Sequence, residues 1–240
     1  MRIAHAILAA WLMLLAALAP ARAHKRVALV IGNGAYEHLN ALKNPPNDAR
    51  DLAEALGKLD FEVDLGVDLT LTRMQEKVKA FARRARAADV ALAFFAGHGT
   101  QAADPRGSAS AMNYLLPIDA DIKDAEDLRF LLTARDILEP LQAAGSIRIL
   151  ILDACRDNAI PLRLAKGRSV SVARGLTREP RTNGTLIAYS TQPDTVAGDG
   201  TERNSPFVKA LLDHIAEPGL DIRLLFTDVR GDVIRRTGGA

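Results

Sequence analysis

The chain has 240 residues, with 31 Lys+Arg against 29 Asp+Glu and a single cysteine. A charge this balanced gives no support to nucleic-acid recognition, which needs a basic face or stripe rather than a total, and no nucleic-acid partner is expected. One cysteine excludes an internal disulfide, so the thiol is buried and inert, paired between chains, or used for its chemistry.

The first 23 residues place Arg2 ahead of an apolar run from about Ala6 to Leu18 and end in Ala21-Arg22-Ala23. That is the pattern of a cleaved export signal, and the run is short for a bilayer span, which needs about 20 residues. The expected protein is exported, periplasmic or secreted, and free of the membrane after cleavage. Losing Arg2 and Arg22 takes Lys+Arg from 31 to 29 and leaves the mature chain formally neutral. About 215 remaining residues suit one α/β domain, and 48% hydrophobic residues supply its core.

Five short apolar runs read as strands: RVALVIG (26 to 32), FEVDLGV (61 to 67), DVALAFFAG (89 to 97), IRILILDA (147 to 154) and TLIAYST (185 to 191). They are β-branched or aromatic and bounded by Gly, Asp or Asn, and their near-continuous apolarity suits strands covered on both faces. Amphipathic stretches alternate with them. Residues 47 to 59 turn Ala49, Leu52, Ala55 and Leu56 inward, and residues 72 to 87 do so with Met74, Val78, Phe81 and Ala85. Thr72 with Gln75 reads as a capping box, Thr133 caps a third helix, Asn204-Ser205-Pro206 opens a fourth and Asp221 a fifth. This order predicts an open sheet with helices on both faces. Residues 100 to 132 and 156 to 184 read as long connections, which in a compact domain are usually functional.

Sites in open parallel sheets gather outside the carboxyl ends of the strands. That rule selects His98, between Gly97 and Gly99 at the end of the third strand, and Cys155, just past Asp153 at the end of the fourth. Of the five histidines only His98 sits at a predicted strand end. An adjacent imidazole can deprotonate a thiol, and the thiolate is a nucleophile. The amides of Gly99 and Cys155 are candidate donors to the oxyanion of acyl transfer. The bland alternatives are a small buried cysteine and a structural histidine.

FFAGHGT and LDACRDN, with His98 and Cys155 57 positions apart, resemble the histidine and cysteine blocks of the caspase-like clan of cysteine peptidases, whose histidine lies about 50 residues upstream of the cysteine. RVALVIGNGAY, LKNPPNDARDLAEAL and NYLLPIDA resemble further blocks of bacterial caspase-like proteins and metacaspases, so the similarity covers about residues 26 to 215. The resemblance implies a caspase-hemoglobinase fold, an open and mostly parallel sheet, in a catalytic domain over residues 24 to 240. It implies a cysteine-type endopeptidase acting on protein or peptide substrates, with Cys155 as nucleophile and His98 as general acid/base.

Caspases have glutamine two residues before the cysteine, whereas this chain has Asp153, as metacaspases do. A carboxylate in the first specificity pocket favours Arg or Lys. The resemblance carries a second pocket acid onto Asp48 and a pocket position onto Ser190. Asp48 can equally be a helix-start residue favoured by the macrodipole, and Asp153 can be structural. Ala96 stands where metacaspases often have serine, removing one polar pocket contact. The linker from Arg156 to Arg181 holds seven basic residues against Asp157 and Glu179. It reads either as a self-processing substrate or as a solvated basic loop.

No cofactor is expected. Asp119, Asp121, Asp124, Glu126 and Asp127 form a candidate calcium loop, though the spacing is not that of an EF-hand. VIGNGAYE has Glu37 where a dinucleotide fingerprint needs its third glycine. The competing functional reading is a catalytically weak caspase-like domain that binds peptides or partners in the cell envelope.

Overall fold

The computed structural model describes residues 24–107, 111–155, 176, 179, 184–190 and 202–238. The leader assigned to residues 1–23, most of the basic linker and the side chain of Cys155 lie outside the described residues.

In chain order, β1 (Arg26–Gly32) leads through α1 (Pro45–Lys58) to β2 (Phe61–Val67), and α2 (Leu71–Ala85) leads to β3 (Val90–Ala103). β4 (Ala111–Leu115), a 3-10 turn at Ala125–Phe130 and β5 (Leu132–Thr133) follow. Then come α3 (Ala134–Gln142), β6 (Ile147–Cys155), β7 (Thr185–Tyr189), α4 (Pro206–His214) and α5 (Ile222–Thr237). Five strands run parallel in the order β2-β1-β3-β6-β7, while the far half of β3 pairs antiparallel with β4, and β4 with β5.

Strand alternation sends Val27, Leu29 and Ile31 to one face, where Met74, Val78 and Phe81 of α2 and Ile137 and Leu141 of α3 cover them. Ala28 and Val30 face Leu52 and Leu56 of α1, Val208 and Leu211 of α4 and Val229 of α5. Both faces are therefore buried, which accounts for the unbroken apolarity of the strands. The α/β class, the open sheet and the five strands are as the sequence predicts. Among the described residues no helix is long and apolar enough to cross a membrane.

Three expectations are corrected. First, β3 does not stop at Gly97 but continues to Ala103, so His98 lies within a strand and part of residues 100 to 132 forms an antiparallel extension. A third apolar cluster, including Ala102, Met112, Tyr114, Leu116 and Leu128, holds this extension in place. Second, the Thr72–Gln75 capping box does not form: Thr70 occupies the N-cap without a side-chain bond. The Leu71 N–H is instead satisfied by Asp119 Oδ1 at 2.9 Å, a donor–acceptor pairing no local pattern encodes. Third, α1 starts at Pro45 rather than at residue 47, with prolines in its first turn, where a missing N–H costs nothing. The caps at Thr133, Ser205 and Asp221 form as predicted.

Candidate active site

The carboxyl ends of β3, β6 and β7 bring the sequence candidates to one edge. The register pairs Ala96 with Asp153, Gly97 with Ala154 and His98 with Cys155. Neighbouring strands lie about 4.8 Å apart, so the His98 and Cys155 backbones are a single strand spacing from each other. β7 pairs Tyr189 with Leu152, and one residue further Ser190 donates its N–H to Leu152 O at 3.1 Å. That sets Ser190 beside Asp153. The Ser190 Oγ is buried and has no hydrogen-bond partner among the described residues.

His98 is 2% exposed. Its Nε2 lies 2.8 Å from the carbonyl oxygen of Asn40. A carbonyl only accepts, so in the neutral ring the proton sits on Nε2 and Nδ1 is the basic nitrogen. The ring packs against Tyr36 with centroids 4.5 Å apart and a 48° tilt. The His98 N–H donates to Tyr36 Oη at 2.7 Å, and that hydroxyl donates onward to Leu116 O at 3.2 Å. Tyr36 and Asn40 belong to the β1–α1 connection, which therefore positions the imidazole.

The flanking glycines are sterically required. Gly97 has φ +151°, and a Cβ there would lie 2.6 Å from Tyr36 Oη; a Cβ on Gly99 would lie 2.9 Å from Ala154 Cβ. The His98 N–H and C=O bond Tyr36 and Leu116. Peptide directions alternate along a strand, so the Gly99 N–H faces the β6 side, where Cys155 ends its strand.

The two acids also converge. Asp48, in the first turn of α1, is 1% exposed and Asp153 is 5% exposed. Ser205, the N-cap of α4, donates its N–H to Asp48 Oδ1 at 3.0 Å and its Oγ–H to Asp153 Oδ2 at 2.6 Å. The same Oγ accepts the Val208 N–H at 3.1 Å. Sequence reasoning recognised Ser205 only as a helix opener; the partners that give it a larger part lie 52 and 157 positions away. The segment before it is clasped to α1: Arg203 bonds both Asp51 oxygens at 2.9 and 2.8 Å, and Asn204 Nδ2 reaches Asp51 at 2.9 Å. The Arg203 hydrogen bond holds the Asp51 carboxyl below the ordinary carboxylate range.

Two linker residues are described, and both are docked. Leu176 is 2% exposed in the core, and Glu179 accepts from Asn113 Nδ2 at 2.7 Å and from Arg135 Nε at 3.3 Å. In the acidic loop, Asp119 receives the Leu71 N–H, Asp124 the Glu126 N–H and Asp127 the Lys123 and Asp124 N–H groups. Asp121 pairs with Lys123 and Glu126 with Arg129. Among the described residues no three His, Cys, Asp or Glu side chains gather as a metal site.

A profile described as the caspase domain matches residues 25–240. The chain is also similar to the human Mucosa-associated lymphoid tissue lymphoma translocation protein 1, at 30% identity over 146 residues, covering 58% of this chain and 17% of that protein. The mouse homolog matches at 30% over the same length, 58% and 16%. The chain thus spans about one sixth of the length of the curated relatives it matches.

Proposed function

Because the chain belongs to the caspase domain family, a family of cysteine peptidases, we propose that it is an endopeptidase that cuts protein or peptide substrates after Arg or Lys through Cys155 and His98. The observation that carries this reading is the His98–Cys155 register together with the commitment of Nε2 to the Asn40 carbonyl. The two backbones lie one strand spacing apart, and Nδ1 is the nitrogen left to move a proton.

In the proposed reaction Nδ1 takes the Cys155 proton, and the thiolate adds to the scissile carbonyl carbon. The Gly99 and Cys155 amides receive the oxyanion. Collapse of the adduct breaks the C–N bond, the amine leaving with the proton from His98, and an acyl-thioester remains. Water, deprotonated by His98, then hydrolyses the thioester and returns the proton to the thiolate. The scheme uses no cofactor. Asp48 and Asp153 are assigned to the pocket for the basic side chain, with Ser190 beside them, because buried carboxylates favour a cation and repel an acid.

The same reading makes the basic linker a candidate for self-cleavage and residues 1–23 an export signal, placing the enzyme in the periplasm or outside the cell. The test is hydrolysis of fluorogenic peptides ending in Arg, Lys or Glu. Wild-type protein should cleave the first two, and Cys155→Ala should abolish this with its circular dichroism unchanged. Asp153→Asn should raise KM for the Arg peptide about ten- to a hundredfold. Equal activity in Cys155→Ala refutes the mechanism, an unchanged preference in Asp153→Asn refutes the pocket, and peptide binding without turnover favours the weak binding-domain reading.

A further inference from the structure

Ser205 joins three elements that are remote in sequence. Its N–H holds an α1 carboxylate, its Oγ–H holds a β6 carboxylate, and its Oγ caps α4. A serine hydroxyl has one proton to donate, and giving it to Asp153 fixes the hydroxyl in rotation. Ser205 is 6% exposed, so all three groups are shielded from water. Two buried carboxylates near one another repel and lose hydration, and their geometry is stable only where donors fix it. Ser205 supplies two donors and no charge. It orients the pair.

The clasp beside it ties the same segment to α1. Arg203 forks onto Asp51, Asn204 joins it, and Asn47 Nδ2 bonds Arg203 O at 3.2 Å. Residues 203–205 are thereby tied to the helix that carries Asp48. One helical turn from Asp48, the same surface already holds a guanidinium through two parallel bonds.

We propose that Ser205 is a specificity-determining positioning residue: it holds the Asp48 and Asp153 carboxylates in the arrangement that selects the planar guanidinium of arginine over the ammonium of lysine. This rests on the reading that these two acids line the pocket for the substrate's basic side chain. A guanidinium presents a rigid fork of donors and gains from acceptors fixed in direction, whereas an ammonium is a point charge on a flexible stem and gains less. Loosening the acids therefore costs arginine more.

The experiment compares Ser205→Ala, Ser205→Gly and Ser205→Thr on peptides that differ only in ending with Arg or Lys. In parallel, binding of the uncleavable Arg peptide amide is measured by calorimetry with Cys155→Ala in every background. Ser205→Ala should lower kcat/KM for the Arg peptide about tenfold or more, through KM with kcat nearly unchanged. The Arg:Lys ratio should fall and Ser205→Thr should restore it. Ser205→Gly keeps the N–H to Asp48 and is tolerated at an N-cap, so it reads the loss of the hydroxyl if Ser205→Ala does not fold. An equal loss on both peptides, or a lower melting temperature with the ratio intact, would mean a merely structural cap and overturn the proposal. If the wild type binds the Arg peptide but never cleaves it, weaker binding in Ser205→Gly supports the role of Ser205 while the catalytic reading fails. No binding by the wild type overturns both.

Discussion

The histidine side and the acid side of the sheet edge are fixed by opposite means. His98 is held by neutral partners, a backbone carbonyl at Asn40 and a hydroxyl at Tyr36, from the connection that follows the neighbouring strand β1. Asp48 and Asp153 are acids, almost fully buried, and both bonded to Ser205 from far along the chain. A group that moves a proton needs one ring orientation and one tautomer, and a carbonyl gives both without adding charge. For acids proposed to read a cation, the Ser205 N–H and Oγ–H are donors that give direction without adding a charge of their own.

That contrast can be broken most sharply at the ring itself. His98→Ala should lower kcat on the Arg peptide by about a thousandfold or more with KM close to wild type, seen in steady-state rates; a change confined to KM would place His98 with the acids instead. Tyr36→Phe keeps the ring packing and removes both hydroxyl bonds, leaving the buried His98 N–H without that acceptor. It should reduce kcat by about three- to tenfold and leave the Arg:Lys ratio alone, so a shift in that ratio would erase the distinction between the two sides.

The smallest effect lies at the clasp. The Asp51 carboxyl is lowered from 3.8 chiefly by the Arg203 hydrogen bond, so its contribution is complete above the ordinary carboxylate value and is lost as pH falls through the lowered folded value. The stability gap between wild type and Asp51→Asn in urea unfolding should be modest at neutral pH and should close below pH 3.8; a gap that widens in acid would contradict the pairing.

How far the sequence foretold this depends on where each interaction begins and ends. β1, β3 and β6 were legible because strands buried on both faces leave unbroken apolar runs, and those runs deliver His98 and Cys155 to one edge. The continuation of β3 was not, because Gly99, Thr100 and Gln101 break the apolar pattern and only the cluster with Met112, Tyr114 and Leu128 makes a strand of them. Tyr36 stood in a recognised block, yet its bond to His98 spans 62 positions. The bond from Asn40 involves only its carbonyl, which any residue would supply. Ser205 was identified from its place before Pro206, a local signal; its bonds to Asp48 and Asp153 depend on how α1, β6 and α4 come together.

The most direct measurement of the central claim, that a reactive Cys155 and an arginine-reading pocket form one site, is labelling by a peptide chloromethyl ketone ending in arginine. The account predicts one adduct per chain, formed by a new S–C bond with loss of chloride and mapped to Cys155, slowed by excess Arg peptide and by Asp153→Asn, and not matched by the glutamate-ending reagent. Labelling at equal rates by both reagents, or no adduct on Cys155, would contradict it.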